Sequence, residues 1–177
     1  MFISQEMRSE KVMLRPFKKS DIELWDVWDR DTQVQEYMPE PQNVLTCEEQ
    51  GEYFNECESR TDEVHAAIVN ADTQTCIGTI AVTDINEHHG VGELGMVIGD
   101  KNVWNKGYGN EALGLFIEYI KTHTKVRRIS AECEEDNIGM QKVLEKNQFM
   151  KECVKKESRV KKGRRINTVQ YSILLEQ

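Results

Sequence analysis

Val103-Trp104-Asn105-Lys106-Gly107-Tyr108-Gly109-Asn110-Glu111-Ala112 is the stretch whose reading decides this chain. It is a glycine-broken loop that runs straight into an amphipathic helix. Gly107 and Gly109 lack a Cβ, so a ligand can approach their main chain closely. Leu113, Phe116, Ile117 and Ile120 follow at i, i+3, i+4, i+7 spacing, which predicts a helix over about 106–122. The first turn of a helix has N–H groups without an intrahelical partner and the positive end of the peptide dipole. That combination suits a phosphate or diphosphate. A bare G-x-G also fits a plain tight turn before a core helix, so the flanking segments must decide.

On the N-terminal side, three strand-like segments lead to the loop: 65–69, 77–82 and 92–98, with a turn at 86–90 between the last two. Further back, 11–15 reads as a first strand closed by Pro16. Ser20 or Asp21 can cap a helix carrying Ile22, Leu24, Trp25 and Trp28, and 37–41 reads as an irregular loop around Pro39 and Pro41. Thr46-Cys47-Glu48-Glu49 has the capping-box form and starts a second helix, to about Glu58. On the C-terminal side, 127–133 reads as a strand and 137–146 as a short helix. Two last strands, 149–154 and 168–174, join around Gly163. The order β-α-α-β-β-β-α-β-α-β-β describes one mixed α/β domain over 1–177.

Bulk properties agree with that reading. The chain has 177 residues, 31% of them charged and 38% hydrophobic, enough for one domain with a real core. No apolar run approaches the roughly 20 residues that span a bilayer. The first residues lack a basic segment followed by an apolar one, so no secretory signal is expected. Cys47, Cys57, Cys76, Cys133 and Cys153 form no C-x-x-C pair and read as reduced thiols in a cytoplasmic protein. No metal site is expected, because His88-His89 reads as a turn tip. A net charge of −8 argues against general nucleic-acid binding. The charge is uneven: Lys151, Lys155, Lys156, Arg159, Lys161, Lys162, Arg164 and Arg165 crowd the stretch 151–165. The acidic remainder can attract a cationic substrate. The basic stretch fits a solvated hairpin, or a surface for an anionic ligand or RNA.

Three motifs together resemble the GNAT acyl-CoA N-acetyltransferases, and within them the Rim-type enzymes that acetylate ribosomal-protein N-termini. Trp104 through Ala112 matches the acetyl-CoA pyrophosphate loop, Gly92-Glu93-Leu94-Gly95 the strand before it, and Asn137 with Lys146-Asn147-Gln148-Phe149 the later helix and its exit. The resemblance implies a mostly antiparallel twisted sheet of about seven strands flanked by about four helices. Departures stand beside it. Trp104 occupies a position where the wider family often has Gln or Arg, and Gln148 replaces a usual glycine. Met140 stands where Rim-type enzymes place a serine proposed as general acid, and Leu144 where other branches place a tyrosine.

The resemblance implies roles residue by residue. Glu93 becomes the general base, although it also fits a solvent-facing or packing position. The main chain of Met96, Val97 and Ile98 pairs with the pantetheine arm while their side chains pack, and a Val97 N–H faces the thioester oxygen. Trp104, Asn105, Lys106, Gly107, Tyr108, Gly109 and Asn110 hold the diphosphate, and Asn137 both caps its helix and binds the pantetheine amide. Trp25, Tyr37 and Met38 border the acceptor, with the basic hairpin opposite, although Trp25 equally fits a core position. The expected co-substrates are acetyl-CoA and a primary amine, first a protein N-terminus, otherwise a polyamine or aminoglycoside, and the resemblance admits a homodimer. A non-catalytic acyl-CoA-binding or RNA-associated module is the reading from a different class, and Met140 and the basic stretch support it.

Overall fold

The computed structural model describes residues 1–39 and 44–176. Glu40 and Pro41, the end of the expected irregular loop, lie outside the described residues, as does the side chain of Cys47. One sheet of eight strands organises the molecule: β1 (Met7–Arg8), β2 (Val12–Arg15), β3 (Val64–Asn70), β4 (Cys76–Asn86), β5 (Val91–Ile98), β6 (Arg128–Glu134), β7 (Met150–Lys161) and β8 (Arg164–Leu174). Four helices accompany it: α1 (Ile22–Arg30), α2 (Cys47–Ser59), α3 (Tyr108–His123) and α4 (Ile138–Lys146). The strand order is β1-β2-β3-β4-β5-β6-β8-β7, antiparallel except where β5 meets β6.

Alternation along the strands builds two cores. Val12 and Leu14 of β2, Ala66 and Ile68 of β3, and Ile80 and Val82 of β4 join Leu113, Phe116 and Ile120 of α3 and Leu144 of α4. The intervening Met13, Ala67 and Val69 face the other way, to Phe17, Trp28 and Phe54. Strands buried on both faces read as near-continuous apolar runs, which is why 65–69 shows no polar alternation. The result is three layers, with α3 and α4 on one face and α1 and α2 on the other.

Local signals largely hold. Thr46 Oγ1 accepts from Glu49 N–H at 3.3 Å, and Glu49 Oε2 accepts from Thr46 N–H at 2.7 Å, the reciprocal capping box. Gly90 N–H closes the β4–β5 turn on Asn86 C=O at 2.8 Å. Asp21 stands at the head of α1 but does not cap it with its side chain. Its carboxylate instead accepts two bonds from buried Arg15, at 2.7 and 2.8 Å, and pins the end of β2 to α1. Two features exceed the sequence reading. The eighth strand is the two-residue edge β1, too short to leave a periodic signal. The final hairpin is longer than 149–154 and 168–174, because its outer part alternates charged residues that mimic a loop. Lys162 and Gly163, at φ 48° and 73°, form its two-residue turn, the conformation such a turn requires.

Candidate active site

The chemistry centres on a gap in the sheet. β5 pairs with β6 only from Val91–Glu93 against Arg128–Ser130. Beyond that point β5 keeps β4, through Leu94 to Ile98, and β6 keeps β8, through Ala131 to Glu134. The two parallel strands therefore diverge into a V, and one edge of β5 is left without a strand partner. An extended ligand with amide groups can add to such an edge as a strand does. The side chains of Met96 and Ile98 pack towards α3 and α4, and Val97 towards α1, so only main chain faces the gap.

The glycine loop closes the mouth of the V. Gly107 has φ 91° and leads α3 without any side-chain cap, and the first helical bond runs from Glu111 N–H to Gly107 C=O at 3.1 Å. The N–H groups ahead of it are left pointing out of the helix. Gly109 lies where an added Cβ would touch Met96 and Val143, so the first turn of α3 sits directly on β5 and α4. Asn105 also takes a positive φ, 59°, and turns the loop towards Gly107. The Trp104 indole donates to Ile98 C=O at 2.8 Å and anchors the loop to the end of β5 rather than facing outward. The Tyr108 hydroxyl likewise turns away, accepting from Asn70 Nδ2 at 3.3 Å. Asn110 is held by Asn147, whose Nδ2 reaches Asn110 Oδ1 at 3.1 Å, coupling the start of α3 to the end of α4. Gln148 adopts φ 67° in place of a glycine and keeps the turn to buried Phe149.

One cation escaped the sequence reading. Lys11 lies far back in the chain, yet its Nζ donates to Lys106 C=O at 3.1 Å and sits 3.7 Å from where a Gly107 Cβ would be. Glu111 keeps it there: its carboxylate accepts from Ser9 Oγ at 2.6 Å and Lys11 N–H at 3.0 Å. Burial pushes the Glu111 carboxyl up, but these bonds and the Lys11 charge outweigh it and hold it below the usual range. With exposed Lys106, Lys11 brings a second ammonium group to the loop. Nothing local in the sequence announces it, since a tertiary contact places it there.

Glu93 is the last β5 residue paired to β6, opposite Ser130, at the vertex of the V. Alternation puts its side chain on the α1/α2 face, where it is exposed and has no hydrogen-bond partner among the described residues. Asn137 caps α4, accepting from Met140 N–H at 3.0 Å, and its own amide N–H₂ has no partner among the described residues. Met140 packs against the larger core and Leu144 is fully buried, so neither position offers a proton. Burial pushes the Cys133 thiol up to about 11 and Cys76 up to about 11, so neither is a thiolate at neutral pH.

The acceptor side is arched over by the segment after α1. Lys101 holds Asp31 and Gln33 near the end of β5. At the other foot, Tyr37 OH donates to Asp136 C=O at 3.4 Å, at the end of β6. Lys161, from the hairpin tip, binds Glu134 and the Glu36 carbonyl and lies 5.6 Å from the Tyr37 ring centre. Tyr37 and half-buried Met38 thus reach the mouth of the V. Trp25 does not; it packs edge-on against Phe17 at 4.9 Å and faces Tyr53 at 6.4 Å, between α1 and α2. One group combines metal-ligand types, buried Cys57, Glu63 and His65. Its carboxylate is already met by Arg60 at 3.0 Å and by His65 Nε2 at 2.7 Å, a satisfied polar network. Among the described residues no helix is long and apolar enough to cross a membrane.

Comparison with known proteins finds the same fold. An uncharacterized N-acetyltransferase, p20, of Bacillus licheniformis is 26% identical over 172 residues, 96% of each chain. The structure of spermidine N-acetyltransferase from Vibrio cholerae with CoA and spermine superposes with TM-score 0.85 at 18% identity, covering 94% of this chain and 97% of that one. RimL, the ribosomal L7/L12 alpha-N-protein acetyltransferase with coenzyme A, gives TM-score 0.85 at 16% identity, covering 97% and 98%. The acetyltransferase (GNAT) domain family matches residues 11–150, most of the chain, from Lys11 beside the loop to the first residue of β7. The chain therefore belongs to the GNAT family and is an acetyl-CoA-dependent N-acetyltransferase.

Proposed function

We propose that this enzyme acetylates the α-amino group of a protein N-terminus by direct transfer from acetyl-CoA, in the cytoplasm, and that it stands with the Rim-type branch. The observation that carries the acceptor assignment is the state of the carboxylates around the gap. Asp31 is paired with Lys101, Glu132 with Lys155 and Arg159, and Glu134 with Lys161. A polyamine is recognised by unpaired carboxylates, and these already carry intramolecular cations. Glu93 remains open at the vertex, where it can meet the attacking amine.

Acetyl-CoA supplies an activated acyl group on a thiol leaving group. The main chain of Met96, Val97 and Ile98 lines the free edge of β5 and aligns the arm, while Lys11, Lys106 and the N–H groups at Gly107–Asn110 meet the diphosphate. An α-amino group titrates near roughly 7.7–8.0, so Glu93 has only to take the proton released on attack, directly or through one water. The Val97 N–H steadies the negative charge that develops on the carbonyl oxygen. Free thiols titrate near roughly 8.5, so the sulfur departs as a thiolate without a donor at Met140 or Leu144.

Thiol release from acetyl-CoA, scored against N-terminal peptides, spermidine and an aminoglycoside, tests the reading. Turnover with peptides is expected. Turnover with spermidine alone overturns the acceptor, and coenzyme A binding without turnover on any amine favours a binding module.

A further inference from the structure

The first turn of α3 carries a charge of the wrong sign for its proposed ligand. Glu111 places a carboxylate at the helix terminus that an anionic diphosphate must approach. An acid there favours the helix dipole but repels an arriving anion. What the carboxylate holds resolves the conflict. Its Oε2 accepts from Ser9 Oγ at 2.6 Å and from Lys11 N–H at 3.0 Å, both in the turn between β1 and β2, and its Oε1 lies 4.0 Å from Lys11 Nζ. These contacts fasten a distant turn of the chain to α3 and lay the Lys11 side chain beside the loop.

Lys11 then acts on the main chain. Its Nζ donates to Lys106 C=O at 3.1 Å, and Glu111 N–H donates to the next carbonyl, Gly107 C=O, also at 3.1 Å. In a trans peptide the N–H points opposite to the C=O of the same plane. With both carbonyls held, the directions of the Gly107 and Tyr108 N–H groups are fixed as well. Gly107, at φ 91°, is where the loop would otherwise turn most freely. An ammonium group has three N–H donors, so the bond to Lys106 leaves charge and donors for a ligand. A lysine held in place beforehand also loses less rotamer freedom when that ligand arrives.

We infer that Glu111 is a positioning residue for acyl-CoA, acting through Lys11 and the Lys106–Gly107 peptide, and that this clamp sets the preference for thioesters carrying a nucleotide diphosphate over thioesters of pantetheine alone. This rests on the reading that acetyl-CoA docks at the Gly107 loop. Simple charge and the clamp give opposite signs for one substitution. Glu111→Gln removes a negative charge beside the diphosphate, which by itself tightens coenzyme A. Where the carboxylate works by holding Lys11, the same change loosens it.

The test is calorimetric titration of the full chain with coenzyme A and with pantetheine, which needs no acceptor. The parent should bind coenzyme A far more tightly. Lys11→Met should raise the dissociation constant for coenzyme A about tenfold and that for pantetheine little, so their ratio shrinks about tenfold. Lys11→Arg, which keeps the cation, should restore most of the preference. Glu111→Gln should weaken coenzyme A about as much as Lys11→Met, and adding it to Lys11→Met should weaken binding no further, since both act through one cation. Unchanged or tighter coenzyme A binding by Glu111→Gln overturns the inference. So does an unchanged ratio in Lys11→Met, a substitution at a half-exposed side chain that tests the clamp even if Glu111→Gln does not fold. A parent chain that binds coenzyme A no more tightly than pantetheine overturns the diphosphate loop itself, whereas a strong parent preference that neither variant moves overturns only the clamp.

Discussion

Glu93 shows what one residue can and cannot reveal. Its place in Gly92-Glu93-Leu94-Gly95 was legible, but strand alternation alone leaves open which face it points to. The register with Ser130 puts it at the vertex of the V, on the α1/α2 face. Glu93→Gln keeps the shape and removes the proposed base, so kcat should fall about 10²–10⁴-fold, with the dissociation constant for coenzyme A unchanged. Calorimetry beside a thiol-release assay reads both. Asp29 carries a stability prediction. Burial raises its pKa in the folded chain, so the native state binds this proton more tightly than the unfolded state. Stability then falls as pH rises from the ordinary carboxylate range through the raised folded value, and the full contribution is present only below the ordinary carboxylate range. Asp29→Asn should remove that slope and raise Tm relative to the parent above the window, in thermal melts between acid and neutral pH.

At the scale of elements, helices with caps and periodic faces were readable because their signals are local. Thr46 with Glu49, and Leu113 with Phe116, Ile117 and Ile120, needed no knowledge of distant contacts. The Asp21 cap misled because its carboxylate is claimed by Arg15, a partner that the fold brings up from the preceding strand. The start of α3 depends on Gly107 at φ 91°, where a Cβ is disfavoured. Gly107→Val should cost about 1–2 kcal/mol in chemical denaturation and weaken coenzyme A binding, because the unpaired N–H groups would turn away. If coenzyme A affinity survives that change, the loop is not the diphosphate cradle.

At the scale of the whole molecule, the basic stretch finds its explanation. Three of its eight basic residues are paired within the fold: Lys155 and Arg159 neutralise Glu132 across the sheet, and Lys161 neutralises Glu134. Lys161 also binds the Glu36 carbonyl, so the hairpin tip fastens the arch that carries Tyr37. Lys161→Ala should free the arch and raise acceptor KM about tenfold, the worth of one charge-assisted hydrogen bond, with the dissociation constant for coenzyme A unchanged. Steady-state kinetics with peptide varied at saturating acetyl-CoA reads it, and an unchanged KM would show that the arch stands without its latch.

The order of elements and the glycine-led helix are written in neighbouring residues whose spacing matches a helical turn or a strand pleat, whereas the family and the candidate carboxylate rest on the resemblance of three short motifs. Tertiary contacts alone settle that β5 and β6 part after Glu93, that Lys11 joins the loop, that the Trp104 and Tyr108 side chains turn away from it, and that Trp25 packs against Phe17 and Tyr53 instead of reaching the mouth. Those facts depend on strand register and on contacts between residues far apart in the chain, and no local periodicity encodes which distant side chain completes a site.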